Sequence, residues 1–306
     1  MPTGHQGSIH LFRFAGVDVF LHWSWFLVAA FEISSRAGRY SSIPWNVVEY
    51  LALFLIVLLH EYGHALACRQ VGGVANRIVL WPLGGVAFVD PPPRPGATLW
   101  SLAAGPLVNV ALAPILIVLV MLGRAAGWPD AMPNAYVLLR TILFMDVALL
   151  VFNMLPIYPL DGGQIVRSLL WYVMGRARSL MVATLIGFVG VAGLIVLAWR
   201  VGSVWFGVLS AFILLNCWTG LKQSAALLRL AKLPRRDGFA CPWCQAAPPV
   251  GNYWTCGHCR TVLDIFEWHA VCPYCSAQLS AAQCLHCGRP HPISEWTAPA
   301  LVTPKL

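Results

Sequence analysis

Residues 58–68 read LLHEYGHALAC and close an apolar run that extends from Val47 to Leu59. Within them His60, Glu61 and His64 form an H-E-x-x-H pattern. On a helix, positions i and i+4 lie on one face, about 6 Å apart, so both imidazoles can reach one point. Glu61 sits one residue round the helix, beside that point. Histidine and glutamate inside a membrane-grade run are costly and usually mark function. The plain alternative is a pair of hydrogen-bonded interior histidines. The stretch therefore poses one question for the whole chain: what metal chemistry belongs inside a bilayer helix?

Composition answers the first half. The chain has 306 residues, 58% hydrophobic and only 10% charged, with a mean hydropathy of +0.69. Soluble domains carry about a quarter charged residues. The expected fold is a mostly α polytopic membrane protein of about six transmembrane helices, with a small membrane-associated β-hairpin and a small zinc-ribbon module. A bilayer core of about 30 Å needs roughly 20 apolar residues per helix. Six spans are expected, near 16–33, 46–68, 99–122, 135–155, 180–200 and 203–221. Residues 1–15 are polar and mixed, so the first apolar run, from Val17, is expected as a retained span. Residues 74–90, VANRIVLWPLGGVAFVD, are rich in β-branched and aromatic residues. They predict a hairpin turning at Gly84 and Gly85; at membrane depth it must be shielded by protein or line a cavity. An ordinary cytoplasmic loop is the other reading.

The net charge of +8 points to cytoplasmic loops before nucleic acid. With the N-terminus inside, the inner segments hold twelve Lys and Arg: Arg13, Arg69, Arg77, Arg94, Arg167, Arg176, Arg178, Lys222, Arg229, Lys232, Arg235 and Arg236. The outer loops hold four: Arg36, Arg39, Arg124 and Arg200. This bias predicts a multi-pass cell-membrane protein with both termini cytoplasmic.

A catalytic zinc takes three protein ligands. Past the H-E-x-x-H box the membrane part has no further His, and its next Glu is Glu267, in the soluble part. The carboxylates left are Asp90, Asp130, Asp146 and Asp161. The expected spans put Asp130 outside and Asp146 deep in the bilayer. Asp161, in NMLPIYPLDGG, falls just past the inner end of the fourth span, at the level of His64. Its prolines and glycines would unwind the backbone there. When bound, zinc lowers the pKa of a water and polarises a carbonyl, with the glutamate as proton carrier.

HEYGH, AAGPLVNV (103–110) and NMLPIYPLDGG (153–163) together resemble the site-2 protease family of intramembrane zinc metalloproteases. The likeness covers roughly residues 10–220, and LWPLGGVAF is similar to that family's hairpin. The resemblance implies an enzyme, a zinc metalloendopeptidase, that cuts a transmembrane segment of a membrane protein substrate near the cytoplasmic face. It implies zinc at His60, His64 and Asp161, with Glu61 as general base. It also implies that the hairpin around Leu83–Val89, with Gly84 and Gly85, pairs with an unwound substrate strand. Asn153 and Asn109 can donate to the peptide or its oxyanion, or instead bridge helices. His22 and Asp146 are expected to form a polar contact inside the bundle. Cys68 is expected to be a packed thiol.

Beyond Leu233 the composition changes. Residues 238–297 predict a separate cytoplasmic module, after a membrane domain at 1–233. Four C-x-x-C pairs fall there: Cys241/Cys244, Cys256/Cys259, Cys272/Cys275 and Cys284/Cys287. Four thiolates satisfy a closed structural zinc. Taken in chain order, the first two pairs make ribbon one and the last two make ribbon two. The second half repeats the first with a shift of 28 residues, and DIFEW (264–268) and PISEW (292–296) are matching tails. The expected inventory is one catalytic and two structural zinc ions. Expected partners are a membrane protein substrate, membrane lipid and a protein partner at the ribbons. Nucleic acid is disfavoured, because residues 238–296 hold only Arg260 and Arg289 as fixed positive charges. A non-catalytic zinc-binding receptor or adaptor, acting through its ribbons, is the alternative function; Glu61, which metal ligation alone does not need, speaks against it.

Overall fold

The computed structural model describes residues 7–35, 38–81 and 84–296. Arg36, Leu83 and residue 297, which enter the readings above, lie outside them. The chain divides into two compact units, Met1–Gly220 and Leu221–Leu306.

The first unit begins with strands β1 (Ser8–Phe14) and β2 (Val17–His22) and helix α1 (Ser24–Ser35). The long helix α2 (Ile43–Gln70) follows, then strands β3 (Val74–Trp81) and β4 (Gly84–Asp90). Next come α3 (Pro95–Ala125), the single turn α4 (Trp128–Ala131), α5 (Pro133–Asn153), α6 (Asp161–Val201) and α7 (Val204–Ala231). Among the described residues five helices, α2, α3, α5, α6 and α7, are long and apolar enough to cross a membrane. At 28 residues, α2 is about 42 Å long, more than a bilayer core.

The expected first span, 16–33, is not a transmembrane helix. Its first part pairs with β1 and β3 as a strand, and α1 has only 12 residues. The β-branched start, Val17 and Val19, is buried in a sheet-lined core, which outweighs a hydropathy signal blind to secondary structure. The first part of the stretch nevertheless runs beside α2, between Arg69 and Tyr50. At its start Arg69, near the C-terminal end of α2, donates to the carbonyls of Ala15 and Gly16. At the start of α1, Trp25 packs on Tyr50 and Phe54, and the Tyr50 hydroxyl donates to the Trp25 carbonyl at 2.8 Å.

Two other expected spans are longer than read. Residues 180–200 form the later part of α6, which starts at Asp161 and breaks at Gly175 (φ 79°, ψ 167°). That left-handed conformation suits glycine. Helix α7 continues ten residues past 221, to Ala231.

The expected hairpin is present as β3 and β4, in a four-stranded sheet ordered β1-β2-β3-β4. Strand β2 runs parallel to β3, Asp18 opposite Arg77. Ile78, Val79 and Leu80 are buried between neighbours, so only β4 offers an outer edge on that side. Gly84 and Gly85 are not the turn. Gly84 pairs with Trp81 and Gly85 with Leu80, and at Gly85 the strand comes close to α2, as described below.

On the other flank of α2, Arg39 donates to the Thr141 hydroxyl at 2.8 Å and lies 3.7 Å from the Glu49 carboxylate. Tyr40 donates to the same carboxylate. Burial, with that hydrogen bond, pushes the Tyr40 hydroxyl up to about 12. The connection before α2 is thus tied to α2 and α5. His22 does not meet Asp146: it bonds Ser24 and stacks on Trp81, ring centres 4.1 Å apart. Cys68 is a fully buried thiol.

Candidate metal centre and cysteine clusters

Helix α2 delivers His60, Glu61 and His64 to a buried pocket: the three are 3%, 6% and 6% exposed. Asp161 arrives from 101 residues away at the first turn of α6. Its oxygen Oδ2 lies 3.0 Å from His60 Nε2 and 3.3 Å from His64 Nε2. The two Nε2 atoms are 3.1 Å apart. A tetrahedral zinc with bonds of about 2.0–2.1 Å sets its ligands about 3.3 Å from one another. The triangle matches that size.

The donor set also has the chemistry of a cation site. His64 Nδ1 donates to the Ser101 carbonyl at 2.8 Å. His60 Nδ1 donates to Asn109 Oδ1 at 2.7 Å. With each ring proton engaged on Nδ1, both Nε2 atoms present lone pairs, and Asp161 adds a third acceptor. Three acceptors facing one another at about 3 Å repel unless a cation sits among them. The residues fit zinc.

The protein makes room for this geometry with small residues. A Cβ on Gly105 of α3 would fall 2.2 Å from His64 Nε2, and one on Gly63 would fall 2.6 Å from the Ala104 carbonyl. Helices α2 and α3 therefore touch along Gly63, Ser101, Ala104 and Gly105, a close approach that suits bilayer helices. A Cβ on Gly85 would fall 2.3 Å from Glu61 Cγ. Glu61 fills that space, and its Oε2 accepts the Ala87 amide proton at 2.8 Å. Gly85 of LGGVAF thus admits the glutamate. Gly162 and Gly163 press the start of α6 onto backbone atoms of residues 154–158, which fixes Asp161.

Asn109 is fully buried between helices. It accepts from His60 and donates through Nδ2 to Asp146 Oδ1 at 2.7 Å. Its oxygen and one of its amide protons are thus engaged inside the bundle, which is the helix-bridging alternative read for it. Asn153 ends α5, half-buried, outside that network. The sequence reading missed Ser101, Gly63 and Gly105. The small-residue run SLAAGP (101–106) was the signal for Ser101 and Gly105, as a close-packing helix face, and Gly63 stood inside HEYGH itself.

Residues 48–136 and 131–197 match the family model described as Peptidase family M50. The chain belongs to peptidase family M50. The matched region contains His60, Glu61, His64, Asn109, Asp146 and Asp161, and it stops well short of the cysteine pairs. A zinc metalloprotease of Methanocaldococcus jannaschii is 34% identical to this M50 chain over 180 residues, 59% of this chain and 50% of that protein. Stage IV sporulation protein FB of Bacillus subtilis is 32% identical over 119 residues, 38% of each chain. The M50 chain thus spans half or less of the length of these two curated relatives. Among solved structures, the site-2 protease from Methanocaldococcus jannaschii superposes with a TM-score of 0.51 at 27% identity, covering 70% of this chain and 95% of that one. The M50 fold seen here is therefore that of a multi-pass membrane metallopeptidase family.

The cysteines form two tetrathiolate clusters, compatible with zinc ribbons, but in a different pairing from the expected one. Cys241 and Cys244 join Cys284 and Cys287, while Cys256 and Cys259 join Cys272 and Cys275. The clusters are nested, not sequential. Sulfur separations across them are 3.8 Å (Cys241–Cys287), 3.6 Å (Cys244–Cys284), 3.7 Å (Cys256–Cys275) and 3.6 Å (Cys259–Cys272). The repeat itself is real. Hairpin β5–β6 (Trp254–Thr255, Val262–Leu263) recurs as β7–β8 (Ala282–Gln283, Pro290–His291) at the shift of 28. All four knuckles share one turn, with the residue after the second Cys at positive φ: Gln245, Arg260, Ser276 and Gly288.

The aromatic core explains the exchange of halves. Phe266, from the first tail, packs on Trp254 (5.2 Å), Phe239 (5.2 Å) and Trp296 of the second tail (5.0 Å). The Trp254 indole donates to the Gln283 carbonyl at 2.9 Å. One shared core holds the hairpins together, so each unit closes its partner's cluster. The tails are consequently unequal: Trp296 is 1% exposed and its repeat mate Trp268 is 47% exposed. Asp264, fully buried, accepts from Arg236 at 2.6 Å and from the amides of Gly251 and Phe266. Replacing Cys241 and Cys284 together by Ser should remove one ribbon metal from the full chain, whereas Cys241 with Cys256 should remove both. Metal analysis decides this; sequential pairing gives the reverse.

Proposed function

We propose that this chain is an intramembrane zinc metalloendopeptidase that cleaves a transmembrane segment of a membrane protein substrate near the cytoplasmic face. The observation that carries the reading is the meeting of three lone-pair donors, His60, His64 and Asp161, beside Glu61 on membrane-grade helices. His60, His64 and Asp161 would hold the zinc, whose chemistry is to acidify a water and polarise the scissile carbonyl. Glu61 takes a proton from the attacking water and returns it to the leaving amide nitrogen. Its Ala87 bond holds one carboxylate oxygen and leaves the other for that traffic.

A helical substrate hides its carbonyls. The open edge of β4 can hold it extended by strand addition, with Gly84 and Gly85 allowing close backbone approach and Asn153 available to the peptide. Gly85 then serves two ends, since it also admits Glu61. The protease domain comprises residues 1–233. The module at 238–297 holds two structural zinc ions and serves as a docking site for a protein partner or substrate.

The protein reconstituted in vesicles with a single-span substrate should cut it, and a zinc chelator should stop the cutting. Cleavage that persists without zinc would rule out the mechanism. A chain ending at Pro234 should still cut at high substrate concentration and lose only apparent affinity, since tethered docking raises effective concentration alone. A truncated chain dead at every concentration, though inserted and zinc-loaded, would show that the ribbons build the site.

Both termini are cytoplasmic on this reading. The charge bias supports it; with five long apolar helices it requires residues 17–35 to take the chain across once more. A reporter fused after Leu306 should be active only as a cytoplasmic enzyme; activity as an exported one would invert the topology.

A further inference from the structure

We propose that Asp146 is a positioning residue which, through Asn109, fixes the tautomer of His60 so that Nε2 carries the lone pair facing the metal. The proposal rests on the zinc reading above and deepens it. An asparagine amide has two faces, one that only accepts and one that only donates. Nothing in its shape decides which way it points. In Asn109 the choice is made by Asp146, whose Oδ1 accepts Nδ2–H at 2.7 Å. The Asn109 oxygen must then turn to His60 Nδ1, also at 2.7 Å. An amide oxygen cannot donate, so Nδ1 carries the ring proton and Nε2 is left bare.

The reverse orientation shows what Asp146 prevents. A flipped amide would set its oxygen against the Asp146 carboxylate and its NH2 against His60 Nδ1. The ring proton would move to Nε2 and point at His64 Nε2 and Asp161 Oδ2, closing the metal position. Asn109 and Asp146 are fully buried and His60 nearly so, so water does not blur the choice. The other oxygen of Asp146 has no hydrogen-bond partner among the described residues, so the carboxylate is committed to Asn109. His64 needs no such help. Its Nδ1 donates to the Ser101 backbone carbonyl, a group that cannot flip. Of the two imidazoles, only His60 leans on a reversible partner, and only there does a third residue stand behind.

The isosteric Asp146→Asn variant tests this, because an Asn–Asn pair lets Asn109 turn either way. Zinc affinity, measured by competition with a chelator in the full chain, should fall about 10- to 100-fold, as expected for loss of a ligand-orienting partner. The thermal unfolding of the metal-free protein should barely move. Nitrogen NMR of the metal-free wild type should show His60 protonated at Nδ1, and in Asp146→Asn a mixture with the Nε2–H form. A merely structural Asp146 would leave both zinc affinity and tautomer unchanged in the variant, and that result would overturn the proposal. Should the variant fold poorly, a wild-type His60 protonated at Nε2 overturns it alone. Failure of the wild type to bind zinc at all would instead defeat the protease reading.

Discussion

Replacing Glu61 by Gln should lower peptide cleavage by about two to four orders of magnitude, the usual worth of a positioned acid–base group, while zinc stays bound. The separation follows from geometry. His60, His64 and Asp161 form the triangle of lone pairs, and Glu61 is outside it, bonded to the Ala87 amide. Glutamine keeps the shape and can still accept that amide proton through its oxygen. It fills the space left by Gly85 equally well. What it cannot do is take a proton and give it back. Paired measurements of zinc content and single-turnover cleavage check this. A variant that cuts at the normal rate would mean that Glu61 is a packing residue and that the site works by other chemistry.

The Gly105→Ala variant should lose most of its zinc affinity and at least about 100-fold in activity, an effect no helix-propensity argument would give. Alanine is the better helix former by about 1 kcal/mol, so in an open helix the change would stabilise. Here the added methyl would lie 2.2 Å from His64 Nε2 and 2.4 Å from Cε1, inside any possible contact. The imidazole must swing away or α3 must back off from α2. Either breaks the hydrogen bond to Ser101 and opens the metal triangle. Zinc titration against a chelator and cleavage rates should fall together. Retention of both would mean that the α2–α3 contact yields more readily than its packing indicates.

The site was more legible than the fold around it. His60, Glu61 and His64 announce themselves because polar residues in a bilayer helix need a reason. Asp161 followed from the shortage of other ligands and from motif resemblance. What could not be read was tertiary. Val17–His22 is apolar enough for a helix, and only its partners β1 and β3 make it a strand. Gly84 and Gly85 looked like a turn because glycine pairs usually are; both lie in β4 instead, and Gly85 makes room for a glutamate on another element. Asn109 offered two roles, and Asp146 on α5 decided between them. The cysteine pairs gave their number and repeat but not their partners, since any C-x-x-C can join any other. The aromatic contact of Phe266 with Trp296 settles the pairing.

That nesting has a consequence for how the module is made. The inner cluster closes a gap of 12 residues between Cys259 and Cys272, and the outer one a gap of 39 between Cys244 and Cys284. Loop closure costs about 0.6 kcal/mol more per doubling of length, so the outer cluster starts about 1 kcal/mol behind. Once the inner cluster forms, it short-circuits the chain, and the outer path shrinks to the 11 residues before Cys256 and the 8 after Cys275. On the proposed zinc occupancy, the inner cluster is therefore expected to load before the outer one. A ribosome delivers the chain in the opposite sense: Cys241, Cys244, Cys256 and Cys259 emerge together before any correct partner exists. Those four thiols make a competing set, with a gap of only 11 residues between Cys244 and Cys256, which the nested pairing has to displace.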